Sequence, residues 1–352
     1  MITMQQIKRL IFLLVLAQGA FVVVEAQSVA QFANKGKELY NRRKFDSAIL
    51  YLNAAIKLSP KTAVMYFVRG NAKDELKHYE EAIKDYNEAI KLDPKDANVF
   101  CNRGNAHYDL KHYAFAIADY TEAIKLNPNF AAAYIFRGGA HDDLKQYEEA
   151  ITDYNSGIEL DPKNAKAYNN KGITHMNMKQ YEDAIADYTE AIKIDPKYAH
   201  AYDNRGNAKN ELKQHAEAIK DYDMAISHDP KNAKAFDNRG RAKDDLKNHM
   251  EAISDYNQAL KLAPDNASAF NNRGISKIQL KQYQEAIADF QESIKRDRKN
   301  PKPFNNAGYA YYKLGDCKKA IENYDIAVKI GGPDYVPHHE YRKEAAKKCA
   351  GK

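Results

Sequence analysis

The sequence predicts an all-α fold, a solenoid of antiparallel helix pairs, and three observations support that prediction. Nine of the 16 glycines and seven of the 11 prolines recur at a constant interval of 34 residues. Within each interval, apolar residues recur twice at the spacing of one helical face, with a short turn between the two runs. A fixed period of this size is typical of stacked repeats and excludes a single globular core. The periodic glycines are Gly36, Gly70, Gly104, Gly138, Gly172, Gly206, Gly240, Gly274 and Gly308, and the prolines are Pro60, Pro94, Pro128, Pro162, Pro196, Pro230 and Pro264.

The composition excludes two broad classes of protein. The 352 residues are 44% hydrophobic and 29% charged, with a mean hydropathy of -0.72. This is too polar for a polytopic membrane protein and too apolar for a disordered chain. The formal net charge of +6 is mild for this length, and the sequence has no lysine- or arginine-rich tract of the nucleic-acid-binding type. We therefore expect no nucleic-acid partner.

The first element is an apolar segment at the N-terminus. Lys8 and Arg9 precede an apolar run from Leu10 to Val24, and Ala26 stands where a signal peptidase would cleave. Residues 1–26 are therefore predicted to be a secretory signal, and no integral membrane span is expected after its removal. The alternative is a retained membrane anchor, for which a run of about 15 residues is short. We expect an exported protein, periplasmic or secreted, from a bacterial source.

Nine units of 34 residues follow and fill residues 29–334, starting at 29, 63, 97, 131, 165, 199, 233, 267 and 301. Each unit is predicted to be two antiparallel helices, with Asn164, Asn232, Asn266 and Asn300 as N-caps of first helices. The glycine at position 8 of each unit would cost about 1 kcal/mol inside a helix. We therefore expect it to mark, with the alanine at position 20, a close contact between helices. Residues 335–352 are predicted to form a charged, solvating cap helix and tail.

An ion pair is predicted inside the units. Position 7 is basic and position 23 is aspartate in units 2–8, as in Arg69 and Asp85, whereas unit 9 has Ala307 and Asn323. Pairing within a unit leaves only Lys35 of unit 1 without a partner. We therefore expect an ion pair that joins the two helices of a unit; the alternative is two independently solvated charges.

These residues resemble the tetratricopeptide repeat family. The resemblance lies in an aromatic residue at position 4, glycine at 8, alanine at 20, an aromatic residue at 24 and proline at 32, and it extends over residues 29–334. The sequence departs from the family at position 7, usually leucine but basic here, and at position 11, usually tyrosine but mostly Lys or His here. The resemblance implies a right-handed superhelix whose concave face binds extended peptides or proteins through first-helix positions 2, 5, 9, 12 and 13. It implies no chaperone-type carboxylate clamp, because position 5 has no basic residue.

The concave positions that the resemblance implies supply the candidate partner-binding residues. Positions 12 and 13 are often acidic and include no basic residue before Lys313, so the face is predicted to attract a cationic segment. The alternative is a solvated polar face. Position 5 is more apolar in units 2–4, where a hydrophobic anchor pocket is predicted. The candidates at positions 12 and 13 are Asp74, Glu75, Asp109, Asp142, Asp143, Glu211, Asp244 and Asp245, and those at position 5 are Phe67, Cys101, Ile135, Asn169, Asp203 and Asp237.

No residue pattern indicates catalysis, and neither a cofactor nor a metal is expected. His107, His141 and His175 share position 11 of consecutive units. Packed helices lie about 8–10 Å apart, which is too far for one metal ion to bind all three. Cys317 and Cys349 are a candidate disulfide in an exported protein; the alternative is two unpaired thiols.

The sequence thus predicts a non-enzymatic scaffold that holds a protein or an extended peptide on its concave face. The alternative is an assembly role, in which the solenoid organises cell-envelope components or self-associates end to end as a homo-oligomer. Light scattering distinguishes the two, because concentration-dependent polymers favour assembly and a monomer favours capture.

Overall fold

The computed structural model describes residues 28–332 and 339–350, and every element of regular secondary structure in these ranges is an α-helix. The predicted signal at residues 1–26 lies outside the described residues. The helices are α1 (28–41), α2 (Phe45–Leu58), α3 (Ala63–Glu75), α4 (Tyr79–Leu92), α5 (Ala97–Asp109), α6 (Tyr113–Leu126), α7 (Ala131–Asp143), α8 (Tyr147–Leu160), α9 (Ala165–Asn177), α10 (Tyr181–Ile194), α11 (Ala199–Glu211), α12 (His215–His228), α13 (Ala233–Asp245), α14 (His249–Leu262), α15 (Ala267–Gln279), α16 (Tyr283–Arg296), α17 (Pro301–Leu314), α18 (Cys317–Gly331) and α19 (His339–Ala350).

Helices that follow one another in the chain also pack against one another. The described residues divide into two compact parts, one up to residue 170 and one from residue 171 onward. In units 2–4 and 6–9, the first helix of a unit packs on its second helix, and the second helix of units 1–3 and 5–8 packs on the first helix of the next unit. Each part is therefore an all-α solenoid of helix pairs, as the sequence predicts. Of the helices in the described ranges, none is long and apolar enough to cross a membrane.

The close contact between helices is confirmed at position 8. A Cβ atom built on Gly206 would lie 2.7 Å from Cε1 of Tyr222, and one built on Gly36 would lie 2.6 Å from Cγ of Leu52. Both of these partners stand at position 24 of their unit. The alanines at position 20 are fully buried, and the tyrosines at position 24 are at most 2% exposed. The large side chain at position 24 thus fills the space where a side chain at position 8 would otherwise be.

The predicted ion pair between the two helices is confirmed in units 2–8. In unit 6, Arg205 donates from Nη2 and Nε to the two carboxylate oxygens of Asp221, at 2.6 and 2.9 Å. Lys209 adds a second cation 2.7 Å from the same carboxylate. Arg205 also donates to Thr189 Oγ1 of the preceding unit at 3.1 Å, so its guanidinium connects α10, α11 and α12.

The helix ends follow from the residues that occupy them. Asn164, Asn232, Asn266 and Asn300 each accept a hydrogen bond from a backbone N–H of the next helix, as expected for N-caps. The turn after the first helix of units 1–8 places a basic residue in the left-handed region, whereas unit 9 has Gly315 there. This conformation costs a non-glycine residue roughly 1–2 kcal/mol, and the C-terminal helix dipole offsets part of that cost for a cation.

The last helix, α19, packs on α18 and covers the last unit. Arg342 lies 2.6 Å from the carboxylate of Asp325, and Tyr312 donates its hydroxyl to Glu344 at 2.8 Å. Ala345 is fully buried in this contact. The charged C-terminal segment is therefore folded onto the solenoid at residues 339–350.

Candidate functional site

A cavity of about 350 Å³ opens among the first helices of units 2–4, with Tyr120 of α6 and Asn170 of α9 completing its lining. Its volume lies in the range of small-ligand sites. Two carboxylates line it beside apolar and amide groups, and no basic side chain is found among its described lining residues. We call it the acidic pocket. Its lining residues are Asp74, Asn105, Tyr108, Asp109, Tyr120, Ile135, Phe136, Gly139 and Asn170.

Asp74 is the carboxylate of the acidic pocket with an oxygen that accepts no hydrogen bond from the described residues. Its Oδ1 atom is buried, and none of the described residues forms a hydrogen bond with it. Burial, reinforced by the negative charges of Asp109 and Glu75, raises the pKa of Asp74 from 3.8 to about 6. A buried polar atom without a hydrogen-bond partner costs free energy. The fold therefore holds an unfavourable negative charge at the wall of this pocket.

Asp244 stands at the same repeat position in unit 7 but is satisfied. Its Oδ2 accepts hydrogen bonds from Ser276 Oγ at 2.6 Å and from the hydroxyl of Tyr256 at 2.9 Å. Its Oδ1 lies 2.8 Å from Nδ1 of His249. Unit 7 itself supplies two of these partners, and unit 8 supplies Ser276.

The other walls of the acidic pocket combine fixed polar groups with an apolar surface. Tyr120 donates its hydroxyl to Asn105 Oδ1 at 2.8 Å, which orients the amide. Tyr108 donates to the carboxylate of Asp143 on α7. The ring of Phe136 is 40% exposed and lies beside Ile135 in the lining. A guest would thus meet negative charge on one side and hydrocarbon on the other.

The candidates at position 5 lie mostly in the seam between neighbouring first helices. Cys101, Asn169 and Asp203 are at most 4% exposed. Asp203 accepts a hydrogen bond from Asn238 of the next unit at 3.0 Å. The structure therefore places these three side chains inside the packed seam and not on an open surface.

The remaining candidates at position 5 are less enclosed or reach the acidic pocket. Phe67 packs its ring 6.2 Å from that of Tyr86, and Asp237 accepts a hydrogen bond from Asn272 at 3.4 Å. Ile135, although only 7% exposed, lines the acidic pocket. A cavity with an apolar wall is thus present in units 2–4, and its role as an anchor for a partner stays a prediction.

The candidates at positions 12 and 13 are more exposed to solvent than the candidates at position 5. Asp142 and Asp244 are half-buried, and an arginine from unit 1, Arg43, pairs with Glu75 at 3.3 Å. His215 Nδ1 lies 3.6 Å from Asp245. The structure brings Asp74 and Asp109 together in one pocket. The exposed members of the set are Glu75, Asp109, Asp143, Glu211 and Asp245.

The cysteines and histidines form no further site in the described structure. Cys101 and Cys317 are buried, and burial raises the pKa of the Cys101 thiol to about 12. The side chain of Cys349 lies outside the described residues, so its disulfide with Cys317 stays a prediction. Within residues 28–332 and 339–350, no group of three or more His, Cys, Asp or Glu side chains is arranged to hold a metal ion.

Sequence reasoning missed part of the lining of the acidic pocket. Phe136 stands at position 6, where units 5–9 have asparagine, and this departure was the signal that could have found it. Asn105 and Tyr108 stand at positions 9 and 12, which the resemblance assigns to the concave face. Their contribution depends on contacts between units that no single unit reveals.

The stacked helix pairs define an all-α repeat protein. A family model described as TPR repeat matches residues 70–111, 138–179 and 276–315. Models described as tetratricopeptide repeat match residues 97–130 and 165–198, and residues 32–62, 199–232 and 233–266. Together these matches span well over half of the sequence. The chain belongs to the tetratricopeptide repeat family, whose repeats suggest a protein-interaction scaffold.

Solved structures of the same fold agree with this assignment. A tetratricopeptide repeat protein from Parabacteroides merdae is 19% identical, with 71% of this chain and 99% of that chain covered and a TM-score of 0.57. A chain of the APC/C hetero-tetramer Cut9-Hcn1 is 17% identical, with a TM-score of 0.56; 79% of this chain is covered, and the chain spans 55% of that chain's length. At these identities the likeness shows the fold alone. No curated protein matches the sequence significantly.

Proposed function

We propose that the chain is a non-enzymatic scaffold that binds an extended segment of a partner protein, and that the acidic pocket receives a lysine or arginine side chain of that segment. The observation that supports this most directly is the buried, unpartnered Oδ1 of Asp74. A guest ammonium or guanidinium group in the pocket would offset the negative charge of Asp74, which Asp109 and Glu75 reinforce. Hydrogen bonds from a charged donor to a carboxylate are stronger than neutral ones.

The mixed lining favours a cationic side chain over a simple ion. Lysine and arginine have long apolar stems that pack on hydrocarbon while their charged ends reach polar groups. Ile135 and Phe136 offer the hydrocarbon surface, and Asp74 and Asp109 offer two carboxylates for the charged end. The pocket therefore matches both parts of such a side chain.

Calorimetric titration of the full chain with a short peptide of alternating lysine and leucine tests this proposal. At pH 8, where Asp74 is ionised, we expect the double variant Asp74→Asn/Asp109→Asn to bind the peptide at least about tenfold more weakly than the parent, a difference of about 1.4 kcal/mol. A glutamine–leucine peptide of the same length should bind weakly to both proteins.

The matched control is Glu122→Gln, which removes a carboxylate on α6 outside the pocket, with its side chain 47% exposed. It is expected to leave the affinity for the lysine–leucine peptide unchanged. Unaltered affinity in the double variant, or an equal loss in Glu122→Gln, would show that the acidic pocket is not the cation site.

We also propose that the protein is exported, on the evidence of the apolar segment and cleavage position in residues 1–26. N-terminal sequencing of the protein recovered from the periplasm of a bacterial expression host tests this. The expected first residue is Gln27. Recovery of the uncleaved chain from the membrane fraction would instead support the retained anchor.

A further inference from the structure

Three aromatic residues line the acidic pocket together with its two carboxylates. Phe136 of α7 is 40% exposed, and its ring centroid lies 6.0 Å from that of Tyr120 on α6. Tyr120 is almost fully buried, whereas Tyr108, which lines the cavity from α5, is half-buried. The rings that a guest can contact are therefore those of Phe136 and Tyr108.

The hydroxyl groups of the two tyrosines are already used inside the protein. Tyr108 donates to the carboxylate of Asp143, and Tyr120 donates to Asn105 Oδ1. What the pocket tyrosines offer a guest is thus their rings and not a hydroxyl proton. The face of an aromatic ring carries partial negative charge and attracts a cation.

The carboxylates of the acidic pocket supply negative charge that the protein does not neutralise. Asp74 Oδ1 is buried, so a guest cannot contact it, but its charge adds to that of Asp109 and Glu75. Lys73, which precedes Asp74 in the sequence, pairs with Asp85 at 2.9 Å. In the described ranges, no lysine, arginine or histidine lies within ion-pair distance of Asp74 or Asp109. The pocket therefore attracts positive charge but offers few free acceptors for hydrogen bonds.

This combination treats a primary ammonium and a trimethylammonium group differently. The ammonium of lysine has three N–H donors, and each of them needs an acceptor when water is removed. Here Asp74 has one oxygen out of reach, and Asn105 Oδ1 already accepts a hydrogen bond from Tyr120. A trimethylammonium group has the same charge and donates no hydrogen bond, and its methyl groups pack on aromatic faces.

We propose that the acidic pocket recognises a trimethylated lysine of the partner segment in preference to an unmodified lysine. This inference rests on the proposed function and specifies the chemistry of the cation that the site receives. Asp74 and Asp109 balance the charge of the cation. Its methyl groups contact the rings of Phe136 and Tyr108, and its aliphatic stem packs on Ile135.

Calorimetric titration of the full chain at pH 8 tests this inference with three glutamine–leucine peptides that differ only at one central residue. That residue is lysine, trimethyllysine, or the uncharged tert-butyl analogue in which carbon replaces the ammonium nitrogen. The trimethyllysine peptide is expected to bind the parent at least about fivefold more tightly than either of the others. Choline carries the same trimethylammonium group without a peptide and should bind more weakly than the trimethyllysine peptide.

Three variants separate the rings from the rest of the pocket. Phe136→Leu removes the more exposed ring but keeps an apolar side chain, so the preference for trimethyllysine over lysine should fall to about twofold or less. Its unchanged affinity for the lysine peptide would show that the pocket is still folded. Tyr108→Phe keeps the ring and should keep the preference. The matched control is Phe115→Leu, which removes a 64% exposed ring on α6 outside the pocket and should also keep it.

The outcomes distinguish this inference from the proposed function. Equal or tighter binding of the lysine peptide, an unchanged preference in Phe136→Leu, or an equal loss of preference in Phe115→Leu would overturn the inference and leave the proposed cation site intact. Choline binding as tightly as the trimethyllysine peptide would overturn the assignment to a partner segment. Equal binding of the tert-butyl analogue, or no binding of either cationic peptide, would overturn both the inference and the proposed function.

Discussion

Asp74 and Asp244 occupy the same repeat position, yet their surroundings give them different roles. Asp244 is part of a hydrogen-bond network with Ser276 and Tyr256, whereas Asp74 has a buried oxygen without a partner in the described structure. A residue that costs stability at a pocket is typical of a functional site, because the cost is recovered when a ligand binds. Variants of Asp74 therefore measure how much this carboxylate lowers the free energy of unfolding, and variants of Asp244 serve as the reference.

Asp74→Asn is expected to stabilise the chain by about 1–2 kcal/mol at pH 8, after allowance for solvent screening. Because the pKa of Asp74 is raised from 3.8 to about 6, the folded chain keeps, between these pH values, a proton that the unfolded chain has lost. The contribution of this carboxyl to stability is therefore full below pH 3.8 and is lost as the pH rises through 6. The gain from Asp74→Asn should be smaller at pH 5 than at pH 8 in urea unfolding. Asp244→Asn should destabilise at pH 8, and a stabilisation by both variants would contradict this account.

Gly104 and Gly139 provide a second pair at the residue scale. A Cβ atom on Gly104 would lie 2.7 Å from Cε1 of Tyr120, whereas one on Gly139 would meet nothing closer than 3.7 Å. We expect Gly104→Ala to destabilise by about 1–3 kcal/mol through overpacking, despite the better helix propensity of alanine. Gly139→Ala should stabilise by up to about 1 kcal/mol. Thermal unfolding of the two variants checks this, and a stabilising Gly104→Ala would show that the ring at position 24 moves aside freely.

At the scale of helices, the ion pair between positions 7 and 23 determines how the two helices of a unit are held together. Asp221 is 3% exposed, and Arg205 binds both of its oxygens. Partners with this bidentate geometry and low exposure interact more strongly than surface ion pairs do. The same arginine contacts Thr189 in the preceding unit, so the pair also links units.

A double-mutant cycle on Arg205→Met and Asp221→Asn should give a coupling free energy of about 1–3 kcal/mol in denaturant unfolding. Each single variant leaves a buried polar partner behind, so the double variant should cost less than the sum of the two. The control cycle combines Arg205→Met with Glu217→Gln, an exposed carboxylate in the first turn of α12. Its coupling should be near zero. Additive costs in the first cycle would mean that the two charges act independently.

At the scale of the whole molecule, the sequence predicted the repeat but not the details of the acidic pocket. Glycine at position 8 and alanine at position 20 satisfy one packing constraint. Because this constraint recurs in every unit, the 34-residue period of the sequence reveals it. The seam between units is different, because its contacts join different positions of adjacent repeats, as Asn238 joins Asp203. The burial of Asp203 therefore depends on the offset between neighbouring helices, which the pattern inside one unit does not contain. The same offset determines that Phe136 and Asn170 complete the acidic pocket.

Contacts between neighbouring helices also determine how far a disturbance spreads along the molecule. In a stacked array, each unit contacts only its neighbours, so a local defect should remain local. Ala345→Asp places a carboxylate in the buried contact of α19 with the last unit. We expect backbone amides of α18 to exchange hydrogen at least about tenfold faster, with amides of α11–α14 unchanged. Lys343→Asp, at an exposed position of the same helix, should change neither set. Faster exchange throughout α11–α14 would show that this part of the chain opens as one cooperative body and not unit by unit.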